Sequence, residues 1–201
     1  MRKNILFLSL VLLIALATGS CKRVSSKYEN KEVILASFTV LADMIDNIVN
    51  DDFIVRSITK HGVEVHGYQP TPSDLVKASS AFVFIDNGFG FELWAEKFVS
   101  NLKVNRITVA EDLDPIFISE DFYKGKPNPH AWISPKRGIL YVDIIVESLS
   151  ELRPSKRKLF EENGEAYKHK LSKIDKEFSL FINNLNKDRR YLVSCEELFH
   201  I

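Results

Sequence analysis

The chain has 201 residues, of which 45% are hydrophobic and 27% are charged, so it can bury a hydrophobic core and is not a disordered segment. Lysine plus arginine and aspartate plus glutamate number 27 each, which gives a formal net charge of zero at pH 7. This balance excludes the strong basic bias of proteins that bind nucleic acid or an anionic membrane surface, and no nucleic-acid partner is expected.

Residues 1–20 are predicted to be an export signal. Arg2 and Lys3 form a basic start, and the apolar run from Ile5 to Ala17 is too short to span a bilayer. The mature protein is therefore expected to work outside the cytoplasm.

Cys21 is a candidate for lipid attachment, which would hold the protein at the outer face of the cytoplasmic membrane. The small residues before it resemble the lipobox of bacterial lipoproteins, although Thr18 stands where leucine is usual. An Ala-x-Ala sequence at 15–17 leaves open cleavage by the ordinary signal peptidase, which would release an unlipidated periplasmic protein. The other cysteine is Cys195, so lipidation of Cys21 would exclude an intramolecular disulfide.

Residues 33–152 are predicted to form an α/β lobe. Apolar and β-branched runs predict strands at 33–38, 53–59, 81–85 and 106–110. Helices are predicted between and after them, with caps or starts at Thr39, at Thr71-Pro72 and at Ser134-Pro135, and with one helix carrying Leu93, Trp94 and Phe98. Alternation of strands and helices indicates a parallel sheet that is covered on both faces.

A long loop and a long helix stand out in the rest of the chain. The loop at 111–129 exceeds a plain connection, and loops of this length usually carry function. At 154–187, one apolar stripe continues along a helix of about 30 residues, or roughly 45 Å. Its members are Phe160, Tyr167, Leu171, Ile174, Phe178, Phe181 and Leu185. We predict a rigid spine between two lobes, with a coiled-coil arm as the alternative, and 190–201 as the first strand of a second lobe that is otherwise missing.

Two of the five histidines lie in loops that prolines and aromatic residues stiffen. His66 precedes Gly67-Tyr68-Gln69-Pro70, and His130 lies in Pro127-Asn128-Pro129-His130-Ala131-Trp132. Imidazole suits zinc, and a mixture of imidazole and carboxylate also suits manganese. Spacing alone does not establish a metal site. His61, His169 and His200 have no such context and are interpreted as incidental.

Four segments in this order resemble the cluster A-I solute-binding proteins, which serve ABC importers of zinc and manganese. They are Ala36-Ser37-Phe38-Thr39-Val40-Leu41-Ala42-Asp43-Met44, the His66 to Asp74 motif, Asn87-Gly88-Phe89-Gly90-Phe91-Glu92 with Trp94, and Asn128-Pro129-His130-Ala131-Trp132 with Pro135. The resemblance covers 33–199. It implies two α/β lobes joined by one long helix, a metal ion in the cleft between them, and delivery of that metal to a membrane permease without catalysis.

The resemblance also implies a ligand set. His66 and His130 match the two histidines of the family's first lobe, and Glu196 matches the third ligand position, where the family has His or Glu. The fourth ligand, an aspartate, has no counterpart in this chain. A glutamate at the third position and the absence of histidine from the loop at 111–129 favour manganese over zinc as the transported ion.

Three other interpretations stay open at this stage. A frameshift near codon 197 would convert the family's Glu-Gly-Ala-Phe-Ser-Tyr into the observed Glu196-Glu197-Leu198-Phe199-His200-Ile201. The chain would then be a fragment without function, in which the apolar stripe at 160–185 promotes self-association, whereas a full-length protein is expected to be a monomer. A zinc hydrolase that uses His66, His130 and an acid is the third possibility, although no hydrolase signature is present.

Overall fold

The computed structural model describes residues 31–100, 102–119 and 122–190. The predicted signal at 1–20, Cys21, Glu196 and the strand predicted within 190–201 lie outside these ranges, apart from Arg190 itself. A parallel four-stranded sheet of order β2-β1-β3-β4 forms the centre of the described part. Its strands are β1 (Val33–Ala36), β2 (Ile54–Ser57), β3 (Val83–Asp86) and β4 (Asn105–Thr108). The predicted α/β class with a parallel sheet is confirmed.

Helices follow the strands in the predicted order. They are α1 (Thr39–Val49), α2 (Pro72–Ser79), α3 (Ala95–Val99), α4 (Pro135–Leu152) and α5 (Arg157–Asn184). The predicted cap of α2 is confirmed: the Thr71 hydroxyl accepts from the backbone N–H of Asp74, and the Asp74 carboxylate accepts from the backbone N–H of Thr71.

Two predicted helix starts are wrong. Thr39 is the first helical residue of α1 and not its cap, because the chain leaves β1 early and Phe38 takes the N-cap position without a side-chain hydrogen bond. Leu93 and Trp94 precede α3, which begins only at Ala95. The turn that holds them is instead fixed by the hydrogen bonds described below for Trp94 and Glu92.

The sheet is buried on both faces. Ile34 and Ala36 of β1 point into one hydrophobic cluster, whereas Leu35 points into a second cluster on the opposite face. The first cluster is covered by α1, α4 and the start of α5, and the second includes Ala78 of α2 and Phe98 of α3. Each fully buried aliphatic or aromatic side chain stabilises the fold by about 1.5–3 kcal/mol, so both faces are needed to hold the strands in place.

The long helix α5 divides into a packed half and an exposed half. Phe160 is fully buried, and Tyr167 and Leu171 pack against the first cluster. Farther along, Phe178 and Phe181 are 61% and 60% exposed. The predicted stripe is therefore continuous in sequence but not in burial. The division of the chain into a lobe at 33–152 and a separate spine at 154–187 stays a prediction. None of the helices in the described ranges has both the length and the apolar character needed to cross a bilayer.

The contact between α4 and α5 gives the first testable prediction. A Cβ added at Gly164 of α5 would lie 2.7 Å from Cγ2 of Val146, whose χ1 is stiff in a helix, whereas a Cβ added at Gly138 of α4 would meet only ordinary contacts, the nearest at 3.5 Å from Leu171. We expect Gly164→Ala to lower the free energy of unfolding by about 1–3 kcal/mol. Gly138→Ala should raise it by about 0.5–1 kcal/mol. Urea titration measures both, and equal effects would contradict the close helix contact.

Candidate metal centre

His66 and His130 meet at the carboxyl edge of the sheet. His66 lies in the loop between β2 and α2, and His130 lies in the loop between β4 and α4. In a parallel sheet these loops leave the same edge. The Nε2 atoms of the two rings are 3.2 Å apart, although 64 positions separate the residues in sequence. The structure thus brings the two predicted histidines together.

His130 is held from behind by Asn128. The Oδ1 atom of Asn128 accepts from the backbone N–H of His130 at 2.9 Å and lies 3.0 Å from Nδ1 of the same ring. Because an amide oxygen only accepts, we assign the ring hydrogen to Nδ1, which leaves the Nε2 lone pair facing His66. His66 Nε2 is then the donor in the contact between the rings. Its ring is exposed, whereas His130 is only 7% exposed.

Aromatic rings form an apolar wall around the pair. The Phe91 ring lies edge-on to both imidazoles, with centroid distances of 4.5 Å to His66 and 5.6 Å to His130. Trp132 contacts His130 at 5.4 Å, and Phe38 packs against Phe91 and Trp132. Such a wall restricts ring rotation and lowers the local dielectric, which would strengthen the interaction of the Nε2 atoms with a cation.

Burial keeps His130 neutral. Removal from water is the main cause that lowers the pKa of His130 to about 4, and the nearby His66 adds to it, while Glu64 acts in the opposite direction. Neutral imidazole is the form that binds metal ions. At neutral pH the Nε2 atom of His130 is therefore ready to act as a ligand without losing a proton.

This pKa predicts a pH dependence of stability. Imidazole titrates near pH 6.5 in an unfolded chain, so between about pH 6.5 and 4 the unfolded state binds a proton that folded His130 does not. Stability must then fall as the pH falls through this window. Relative to His130→Gln, the wild type should lose up to about 3 kcal/mol of unfolding free energy. Urea unfolding of both proteins across this pH range, with a chelator to remove metal ions, measures the difference in unfolding free energy. The contributions of groups that both proteins share cancel in this difference. A difference that does not vary with pH would contradict burial of the ring.

The His66 loop is fixed by partners that the sequence analysis did not identify. The indole N–H of Trp94 donates to the carbonyl of Val65 at 2.9 Å, and the His66 backbone N–H donates to Glu64 at 2.7 Å. Tyr68 stacks edge-on against Trp94 and donates its hydroxyl to Asp74 at 2.8 Å. The capping box of α2 was visible in the sequence. The sequence did not show that this capping box also anchors the His66 loop, because the anchor depends on where the Tyr68 side chain lies.

Asp74 is held ionised at this anchor. Burial by itself would raise its pKa, but hydrogen bonds from Lys77, Thr71 and Tyr68 together lower the pKa well below its usual range. The carboxylate therefore is ionised and acts as an acceptor for the loop at neutral pH.

The described residues bring together two candidate metal ligands, His66 and His130, and no complete ligand set. Across 31–100, 102–119 and 122–190, no group of three or more His, Cys, Asp or Glu side chains could hold a metal ion. His61 and His169 are exposed, and neither joins His66 and His130 in a group of three possible ligands. His200 and Glu196, the predicted third ligand, fall outside the residues that the structure describes.

Comparison with known proteins decides the family. A family profile described as "Zinc-uptake complex component A periplasmic" (ZnuA) matches residues 34–201. The chain belongs to this family. Relatives are named as substrate-binding proteins of metal ABC transporters, and a family of binding proteins gives no support to the hydrolase interpretation, which is abandoned.

Individual relatives match over nearly all of this chain. The iron-binding protein YfeA of Yersinia pestis is 36% identical over 194 residues, which cover 96% of this chain and 61% of YfeA. The manganese ABC transporter substrate-binding lipoprotein PsaA of Streptococcus mitis is 32% identical, with 97% of this chain and 65% of PsaA covered. A Mn-bound periplasmic metal binding protein from Candidatus Liberibacter asiaticus superposes with a TM-score of 0.73 at 33% identity, over 81% of this chain and 61% of that protein. The chain thus spans less than two thirds of the length of these relatives.

Proposed function

We propose that this chain acts in the extracytoplasmic substrate-binding component of an ABC importer and captures a divalent transition metal, Mn²⁺ or Zn²⁺, for the membrane permease. The observation that supports the proposal most directly is the 3.2 Å approach of the His66 and His130 Nε2 atoms in a member of the ZnuA family. The metal is cargo, so the site must bind it and later release it.

His66 and His130 are proposed as two ligands, each through Nε2. Glu196 is proposed as the third ligand, and a carboxylate completes a mixed nitrogen and oxygen set that suits both ions. The buried ring of His130 provides a fixed ligand, whereas the exposed ring of His66 is accessible to an arriving cation. Binding at such an edge needs little reordering of the chain.

Manganese is the proposed cargo in preference to zinc. Glu196 is an oxygen ligand, and the loop at 111–129 contains no histidine that could collect zinc. The relatives carry iron and manganese in their names, and the family description refers to zinc. Zinc will bind in the test tube in either case, because affinity of such sites rises from Mn²⁺ to Zn²⁺.

The chain is proposed to be exported and, through lipid on Cys21, held at the membrane beside its permease. PsaA is named as a lipoprotein, which supports this location. Radiolabelled palmitate should be incorporated by the wild type and not by Cys21→Ala, and incorporation by neither would contradict lipid attachment.

Calorimetric titration tests the binding proposal. The protein without residues 1–20, the predicted export signal, should bind one Mn²⁺ or one Zn²⁺, with zinc displacing manganese. A folded protein, by circular dichroism, that binds neither ion in one-to-one stoichiometry would show that this chain does not form the site.

A further inference from the structure

Glu92 is a buried carboxyl that is not one of the proposed ligands. It lies in the turn between β3 and α3 and is only 6% exposed. Its Oε1 atom accepts from the Ser37 hydroxyl at 2.5 Å and from the Asn87 backbone N–H at 3.0 Å, and its Oε2 atom accepts from the Gly88 backbone N–H at 3.3 Å. Burial of a carboxyl is costly, and here three donors are arranged to offset that cost.

The turn that these bonds close has an unusual backbone. Gly88, Phe89 and Gly90 have φ values of 93°, 52° and 76°, so three consecutive residues are left-handed and one of them carries a side chain. A left-handed non-glycine residue costs roughly 1–2 kcal/mol and persists only where the surroundings fix it. The Glu92 carboxylate accepts from the backbone N–H groups that enter this turn and thereby holds it in place.

The turn is connected to His130 through Asn87. The side-chain amide of Asn87 donates to the carbonyl of Pro129 at 2.9 Å, one residue before His130. The Tyr141 hydroxyl donates to Oδ1 of the same amide at 2.6 Å, which fixes the orientation of the amide. The position of the His130 loop therefore depends on Asn87, and the backbone N–H of Asn87 is one of the donors to Glu92.

The same turn is connected to both imidazoles through Phe91. This residue directly precedes Glu92, and its ring is the one that lies edge-on to His66 and His130. A shift of the turn would move this ring and with it the space in which both imidazoles are held.

We propose that Glu92 is a positioning residue for the His66 and His130 pair, acting through Asn87 and Phe91. The metal-binding consequence rests on the function proposed above, but the positioning of the rings does not. Burial raises the pKa of Glu92 to about 7, against the hydrogen bonds from Ser37 and Asn87, so experiments belong well above that pH, where the carboxylate can accept all three bonds.

Glu92→Gln is the first test, because glutamine keeps the shape of the side chain but cannot accept hydrogen bonds from all three donors. In metal-free wild type, ¹⁵N spectra of histidine should show His130 as a single tautomer with the hydrogen on Nδ1. In Glu92→Gln this signal should move toward an average of the two tautomers, and metal affinity should fall by about 10–100-fold.

Ile48→Val is the matched control. Ile48 is fully buried in the last turn of α1, at the sheet edge away from the histidines, so this variant loses packing without touching the turn. It should lower stability and leave ring signals and metal affinity as in wild type. If Glu92→Gln does not fold, Asn87→Asp replaces it: aspartate still accepts from Tyr141 but cannot donate to Pro129, and the His130 signal should change in the same way.

Unchanged His130 signals in the folded Glu92→Gln protein, or in Asn87→Asp where Glu92→Gln is unfolded, would overturn the inference. Changed ring signals without any metal binding by the wild type would support the positioning role and refute the proposed function, so the two failures are distinguishable.

Discussion

His130→Ala is expected to weaken metal binding by at least about 100-fold, or roughly 3 kcal/mol. The substitution removes a proposed ligand that is buried, neutral at physiological pH and fixed in orientation by Asn128. Loss of an outer partner of a ligand commonly costs 10–100-fold, and loss of the ligand itself should cost more. Competition with a chromophoric chelator measures the change for Mn²⁺ and Zn²⁺.

His169→Ala is the control for this measurement, because His169 is an exposed histidine on α5 that is not a proposed ligand. It should bind as the wild type does. His66→Ala should also weaken binding, and the double variant with His130→Ala should show no specific binding. If His130→Ala binds metal as tightly as His169→Ala does, His130 is not a ligand and the histidine pair does not form the metal site.

Asn128→Ala should weaken metal binding by about 10–100-fold although Asn128 is not a proposed ligand. Alanine leaves both the backbone N–H of His130 and its Nδ1–H without the acceptor that Asn128 supplies, and Asn128 is 3% exposed. Unpaired buried donors cost about 1–3 kcal/mol, so the unfolding free energy should fall as well.

Asn128→Asp separates orientation from simple loss of stability. Aspartate keeps the acceptor for Nδ1–H and makes the imidazole more basic, so affinity should equal or exceed that of wild type. Titration of both variants with the same metal gives the comparison. Should the alanine variant bind as tightly as the aspartate variant, the acceptor at position 128 would have no part in orienting the ring.

The sequence was sufficient for the sheet and for most helices. The strands at 33–36 and 83–86 are short runs in which every residue is apolar or buried on one face or the other, and such runs are typical of a covered parallel sheet. Thr71-Pro72-Ser73-Asp74 specified the start of α2 because cap, proline and acid all act locally. Local chemistry predicted these elements correctly.

The burial along α5 could not be predicted in this way. Tyr167 and Phe178 occupy equivalent positions of one apolar stripe, yet the first packs against the core and the second is 61% exposed. Periodicity indicates which face of a helix is apolar. Periodicity does not show how far along α5 the contact with α1 and α4 extends, and the extent of that contact decides which residues of α5 are buried.

The sequence indicated which two histidines to examine but not how they are held. The proline and aromatic context of His66 and His130, together with the family resemblance, singled out both residues. The sequence contained no distance between them, and it gave no sign that Asn128, Trp94 and Glu92 fix the two loops. The roles of Trp94 and Glu92 depend on contacts between residues far apart in sequence, such as that between Ser37 and Glu92, 55 positions apart, and that between Asn87 and Pro129, 42 positions apart.

The contact between the two imidazoles also implies that a hydrogen occupies the site before a cation does. Asn128 keeps the His130 hydrogen on Nδ1, so the hydrogen between the rings belongs to Nε2 of His66. A cation bound by both Nε2 atoms requires that hydrogen to leave, and in a neutral imidazole it can relocate to Nδ1 of the same ring. Under the proposed function, metal loading would change the tautomer of the exposed ring and leave that of the buried ring as it is. The relocation of a hydrogen within one neutral ring would by itself leave the charge of the pair unchanged.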